Sequence, residues 1–234
     1  MALLLFDIDG TLLDMKGSGR EASNKALEKY FGIKNAFNSV PMMGRTDKYI
    51  WKMVCEKNNI PLEVFKKLKK LILKDYYKFL KEELKKRKNI MVYPGLKEIL
   101  KYCSKNGHYL GLLTGNFKKS AYIKLKHFGL DKYFQVGGFG DDNEQRTKVA
   151  ELAIKRAKKY FKKNFDNKEI FIIGDTPFDI ECAKATNTIS VAVATGGYSY
   201  NELKSFRPDF LFNSLENYKE FIKIIDSNKL LNHF

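Results

Sequence analysis

Three short, unbroken apolar runs punctuate the chain, and each ends on small or acidic residues. They are Leu3 to Phe6 before Asp7, Tyr109 to Leu113 before Thr114, and Ile170 to Ile173 before Gly174-Asp175. Continuous apolarity over so few residues predicts strands covered on both faces, as in a parallel sheet. Further strands are expected at Phe134 to Gly137, at Ile189 to Ala194 and, as an edge, at Asp209 to Phe212. Helical spacing separates them at Leu96 to Asn106, Lys118 to Phe128, Gln145 to Phe161 and Phe178 to Ala185. Gly107 and Gly129 stand where helix ends favour a left-handed residue. Strand alternating with helix is the pattern of a doubly wound α/β sheet.

One stretch breaks the alternation. Residues 15–90 carry helical spacing at Glu21 to Phe31, Thr46 to Asn58 and Pro61 to Lys88, without a strand signal. Leu62, Phe65, Leu68, Ile72, Tyr76, Phe79 and Leu80 form one apolar stripe, which reads as core. The expected organisation is therefore an α/β core of residues 1–14 and 91–234 with an all-helical insertion at 15–90. Gly17-Ser18-Gly19 reads as a hinge ahead of the first inserted helix.

Composition changes this picture little. With 234 residues, 44% of them hydrophobic, the chain can bury a sizeable core. A net charge of +16 could mark a nucleic-acid partner. Lysine on predicted helices supplies most of it, however, and no arginine-rich arm or zinc-finger spacing accompanies it. Solvated helix faces are expected, with nucleic acid not a partner. Cys55, Cys103 and Cys182 lack metal or disulfide spacing. No run reaches the ~20 apolar residues of a membrane span, so a cytoplasmic protein is expected.

The strongest chemical signal is Asp7-Ile8-Asp9-Gly10-Thr11. Carboxylates at i and i+2 on a strand end project the same way, at the edge of an open parallel sheet where ligands bind. Two acids so placed repel, which calls for a cation; magnesium prefers oxygen ligands and bridges to phosphate.

This pentapeptide resembles the first motif, DxDGT, of the haloacid dehalogenase superfamily. Leu112-Leu113-Thr114-Gly115-Asn116 resembles its second motif, and Gly174-Asp175-Thr176-Pro177-Phe178-Asp179 its fourth, GDxxxD. For the third, a cation opening the helix before the fourth motif's strand, the chain offers Arg146 and, as runner-up, Lys148. The insertion falls where the family carries its helical C1 cap, which points to the phosphoglycolate phosphatase-like branch.

The resemblance implies a Rossmann-like core, a Mg2+ cofactor and hydrolysis of a small phosphorylated metabolite. Asp7 would be the nucleophile, Asp9 the general acid and base, and Arg146 the neutralising cation. Thr114, Gly115 and Asn116 would bind the phosphoryl group, with the helix N-terminus at Lys118 favouring the anion. Asp7, Asp9 (through its carbonyl) and Asp175 would hold the metal, braced by Asp179. In the insertion, Arg45 of Met43-Gly44-Arg45-Thr46-Asp47 is a candidate for a second substrate anion. His108 and His127 fit none of the motifs. A phosphomutase resembling β-phosphoglucomutase is the near alternative, and a non-catalytic basic binding module the distant one.

Overall fold

The computed structural model describes residues 1–227. The first apolar run forms β1 (Leu3–Phe6), and two short strands, β2 (Leu13–Asp14) and β3 (Met91–Val92), pair antiparallel. The later runs form β4 (Tyr109–Leu113), β5 (Gly137–Gly138), β6 (Ile170–Gly174), β7 (Ile189–Val193) and β8 (Phe210–Phe212). All but β2 and β3 join one six-stranded parallel sheet in the order β5-β4-β1-β6-β7-β8. This is the α/β, doubly wound architecture that the alternation predicts.

Helices α1 (Ser18–Phe31), α2 (Asp47–Lys57) and α3 (Leu62–Lys86) lie between β2 and β3. Thereafter α4 (Leu96–Lys105), α5 (Lys118–His127), α6 (Arg146–Phe161), α7 (Pro177–Ala185), α8 (Tyr200–Ser205) and α9 (Tyr218–Ser227) follow. The period of two in β1 separates the two layers. Leu4 and Phe6 face a cluster with Leu100 of α4, Leu125 of α5 and Phe221 of α9. Leu3 and Leu5 face Val149 and Ala153 of α6 and Cys182 of α7.

The helical segment packs around Trp51, which meets Phe37 and Tyr76 edge-on and stacks with Phe65. The Trp51 ring sits 4.7 Å from Phe37, 5.7 Å from Phe65 and 5.9 Å from Tyr76, centroid to centroid. Phe65, Ile72, Tyr76 and Leu80 of the expected stripe are buried, and Leu62, Leu68 and Phe79 pack against them.

Local expectations shift in two places. The strand expected at Phe134 to Gly137 pairs only over Gly137–Gly138, because a 3-10 turn at Asp131–Tyr133 precedes it and Phe134 ends that turn. Ser18 and Gly19 are not a hinge: they form the first turn of α1, and only Gly17, left-handed at φ 76°, stands outside the helix. His108 is buried in the core, taking a hydrogen bond from the Ala2 N–H and meeting Asp226 at 3.2 Å. The three cysteines are free and buried, and among the described residues no helix is long and apolar enough to cross a membrane.

Candidate active site

The strand order turns back beside β1, since β4 lies on one flank and β6 on the other. A crevice opens beyond the strand ends at such a reversal. Asp7 follows β1, Thr114 follows β4 and Asp175 follows β6, so three of the sequence motifs reach this crevice. Arg146 enters from the first turn of α6, and Asp179 from the first turn of α7.

Asp7, Asp175 and Asp179 are all buried, and one carboxylate oxygen from each lies within 4.8 Å of the others. The Arg146 guanidinium bridges two of them, 2.9 Å from Asp7 Oδ2 and 2.7 Å from Asp179 Oδ1. Asp179 Oδ2 accepts from the Thr176 N–H at 3.1 Å and its hydroxyl at 2.7 Å. Asp179 is thus committed on both oxygens, which suits a bracing role. Lys148 stays outside, on the surface with Glu151.

The Asp175 carboxylate accepts from the Thr11 hydroxyl at 2.9 Å and lies in a glycine cradle. A Cβ on Gly10 would fall 2.2 Å from Asp175 Oδ2, and one on Gly196 only 1.7 Å from it. Gly10 also takes φ 84°, which side-chain-bearing residues rarely adopt.

Burial pushes the Asp7 carboxyl up to about 6; Arg146 opposes this while Asp179 and Asp9 add to it. Burial first, then Asp7 and Asp179, hold Asp175 well above the usual carboxylate range. Burial works against the charge on Arg146, but Asp179 and Asp7 outweigh it and keep the guanidinium firmly protonated. Three carboxylates against one guanidinium leave an excess of negative charge in a buried place. An all-oxygen donor set with that excess fits a hard divalent cation such as magnesium. Asp7 and Asp175 are the side chains free to hold it.

On the other side of the crevice, Thr114 Oγ accepts from the Asn116 N–H at 3.3 Å and its amide Nδ2 at 2.8 Å. Its own proton remains available to an incoming oxygen. The Asn116 side chain is otherwise engaged, donating to Asp9 Oδ2 at 2.8 Å and accepting from Lys124 at 2.6 Å. The expected anion site at the α5 N-terminus is already filled from within. The Phe117 N–H goes to Asp47 Oδ2 at 2.7 Å and the Lys118 N–H to Asp141 Oδ2 at 2.5 Å.

The loop before α2 lies directly on the core. The Asp47 N–H donates to the Gly115 carbonyl at 2.7 Å, and Thr46 Oγ1 donates to the Glu144 carbonyl at 3.0 Å. A Cβ on Gly115 would meet the Arg45 carbonyl oxygen at 2.1 Å, so only glycine admits this approach. Arg45 itself is half-buried, its guanidinium 5.3 Å from the Tyr49 ring centroid and 5.4 Å from that of Phe178. Burial pushes Asp47 up to about 6, against the opposing charge of Lys124 and the Phe117 N–H.

A cavity of about 530 Å³ lies between the core and the inserted helices. Asp7, Asp9, Arg146 and Asp175 line it from the core and Arg20 and Arg45 from the inserted segment, the Arg45 guanidinium lying toward Tyr49 and Phe178 at its side. The motif reading missed two residues here, Asp47 and Lys124. For Lys124 a signal existed: it occupies a core-facing position of α5, in helical register with Phe117, Ala121 and Leu125.

The fold and the site together define a doubly wound α/β protein with paired aspartates just beyond the end of a central strand. The haloacid dehalogenase-like hydrolase family matches residues 4–193, and the chain belongs to that family. The chain is 26% identical over 218 residues to the pyrophosphatase PpaX of Listeria monocytogenes, covering 92% of this chain and 93% of that one. It is also 26% identical over 219 residues to the phosphoglycolate phosphatase of Vibrio vulnificus, at 91% and 92% coverage. In fold it is similar to the β-phosphoglucomutase of Clostridium difficile, with TM-score 0.73, 18% identity and 98% of each chain covered. Family membership as a hydrolase displaces the non-catalytic binding-module alternative.

Proposed function

We propose that this hydrolase removes the phosphoryl group from a small, multiply anionic phosphate compound, with Mg2+ as cofactor and Asp7 as covalent nucleophile. The observation that carries this reading is the convergence of Asp7, Asp9, Arg146 and Asp175 on one cavity, with Thr114 at the end of the neighbouring strand.

Asp7 attacks phosphorus in line, forming an oxygen–phosphorus bond as the bond to the leaving oxygen breaks. Asp9 gives its proton to that leaving oxygen. In the second step Asp9 takes a proton from water as the water oxygen attacks phosphorus, and the carboxylate of Asp7 is released. Transfer of this kind by a positioned carboxyl contributes roughly 10²–10⁴-fold. Thr114 donates its hydroxyl proton to a phosphoryl oxygen, and Arg146 balances the charge on Asp7. A metal would be held by Asp7, Asp175 and the Asp9 carbonyl, and would neutralise charge on the phosphoryl group.

Substrate choice falls to the helical segment at 15–90, which acts as a cap. Arg20 and Arg45 line the cavity, and no ion pair to either is found among the described residues. Two such guanidinium groups suit a second anionic group on the substrate. The named activities of the relatives, on pyrophosphate and phosphoglycolate, are of this kind. The expected location is the cytoplasm.

The test is phosphate release from a panel of pyrophosphate, phosphoglycolate and simple phosphate esters with Mg2+. Asp7→Asn should abolish turnover and trap no phosphoenzyme; near-normal release would overturn the mechanism. A phosphomutase would instead need a bisphosphate activator and leave no free phosphate.

A further inference from the structure

Lys124 has no place in the chemistry described so far, yet it is the most deeply committed lysine near the site. Its side chain is 4% exposed, in the middle of α5, where the pattern of that face asks for an apolar residue. An ammonium group in such surroundings is costly unless it is paired and hydrogen-bonded. Here it is both, at 2.5 Å from Asp9 Oδ2 and 2.6 Å from Asn116 Oδ1.

The three side chains close a triangle. Asn116 Nδ2 donates to the same Asp9 Oδ2 at 2.8 Å and to Thr114 Oγ1 at 2.8 Å, which ties the group to the end of β4. Both hydrogen bonds to the Asp9 carboxylate end on Oδ2, and among the described residues none ends on Oδ1. Asp9 is itself 41% exposed, on the turn after β1, so its surroundings alone would leave it free to rotate. The first turn of α1 covers the other side of the ammonium, since a Cβ on Gly19 would lie 3.6 Å from Lys124 Nζ.

We propose that Lys124 is a positioning residue for Asp9, holding Oδ2 through a paired ammonium and amide so that Oδ1 is presented to the leaving oxygen. The site then uses its two buried cations separately. Arg146 serves the nucleophile and Asp179, while Lys124 serves the acid–base carboxylate. The inference rests on the phosphoryl-transfer reading above. It adds to that reading a group from α5, outside all of the sequence motifs.

The chemistry supplies a discriminating experiment. A p-nitrophenolate leaves without needing a proton, whereas an alkoxide does not. In Lys124→Met, kcat/KM for glycerol 2-phosphate should fall by roughly 10²-fold, within the range for general acid catalysis. For p-nitrophenyl phosphate kcat/KM should fall by less than about 5-fold, because the acid contributes little to that first step. Lys124→Gln, which keeps an N–H donor, should recover part of the loss. Combined with Asp9→Asn, Lys124→Met should add almost nothing, because the two act as one unit.

Equal losses on both esters would overturn the proposal and make Lys124 a contact of the phosphoryl group or a support of the fold. No loss on either would overturn it as well. A crystal structure of Lys124→Met gives a readout independent of turnover. A reoriented Asp9 carboxylate supports the proposal, and an unmoved one refutes it. The wild-type and Asp7→Asn assays judge the underlying phosphatase reading separately.

Discussion

A single methyl group placed opposite Asp175 tests the metal site without altering any charge. In Gly196→Ala the new Cβ would stand 1.7 Å from Asp175 Oδ2 and 2.6 Å from its Cγ. Ordinary van der Waals contact lies near 3.5–4.0 Å, so the carboxylate must retreat by about 2 Å or the loop after β7 must move by as much. Asp175 is buried and held by the Thr11 hydroxyl, which leaves it little room. Overpacking of this kind costs about 1–3 kcal/mol of stability. Displacing a catalytic group by even 1 Å can cost ~10²-fold in rate, and loss of support to a metal ligand costs about 10–100-fold in affinity. The assay is the Mg2+ dependence of phosphate release, with thermal unfolding measured alongside. The half-saturating Mg2+ concentration should rise by at least about 10-fold while the protein still folds cooperatively. Gly197→Ala is the control, because its Cβ would meet only the flexible Met43 thioether, at 2.3 Å from sulfur. If Gly196→Ala binds and uses Mg2+ as the parent does, Asp175 is not a metal ligand and the cradle has no catalytic meaning.

Two further outcomes follow from the same geometry. Burial pushes the Asp7 carboxyl up to about 6. Between the ordinary carboxylate range and that value the folded state therefore binds more protons than the unfolded one, and stability contributed by Asp7 falls as pH rises through the window. Because Mg2+ needs the ionised form, added Mg2+ should raise Tm more at pH 7.5 than at pH 5. At 100 times its Kd the gain is about 2.7 kcal/mol, or roughly 5–10 °C for a chain of this size. An equal rise at both pH values in calorimetry would show that the ion binds elsewhere. For Arg45→Ala, kcat/KM on the doubly anionic substrate should fall by the ~1.5–3 kcal/mol of a charged hydrogen bond. Its activity on p-nitrophenyl phosphate should change far less. Parallel losses in steady-state assays would assign Arg45 to cap packing against Tyr49 and Phe178.

The central strands were legible because their apolar runs are unbroken and their ends carry chemistry. Leu3 to Phe6 leads straight into Asp7, and Ile170 to Ile173 into Gly174-Asp175. Resemblance to family members that carry Asp-Arg after an acidic loop favours Arg146 over Lys148, and the fold agrees: Arg146 opens α6 facing inward, while Lys148 turns to solvent. Lys124 was not singled out because a lysine among many on a helix reads as solvated surface. Its register with Phe117, Ala121 and Leu125 is the one signal in the sequence that its face is buried, and the fold bears that signal out. The same limit applies to the α5 N-terminus. Sequence places a helix start after Thr114-Gly115-Asn116, but not the two carboxylates, from residues 47 and 141, that take its amides.

Those amides give the cap loop a further meaning. Asp47 sits on the Phe117 N–H as a tethered anion, while its own N–H grips Gly115 and Thr46 grips Glu144. The loop thus carries a built-in competitor for the helix end that follows Thr114. Lifting the loop would break these three hydrogen bonds, each worth roughly 0.5–1.5 kcal/mol net, and leave the Phe117 amide vacant. With the loop in place the Phe117 amide is reserved for Asp47, and this helix end offers it to no other anion.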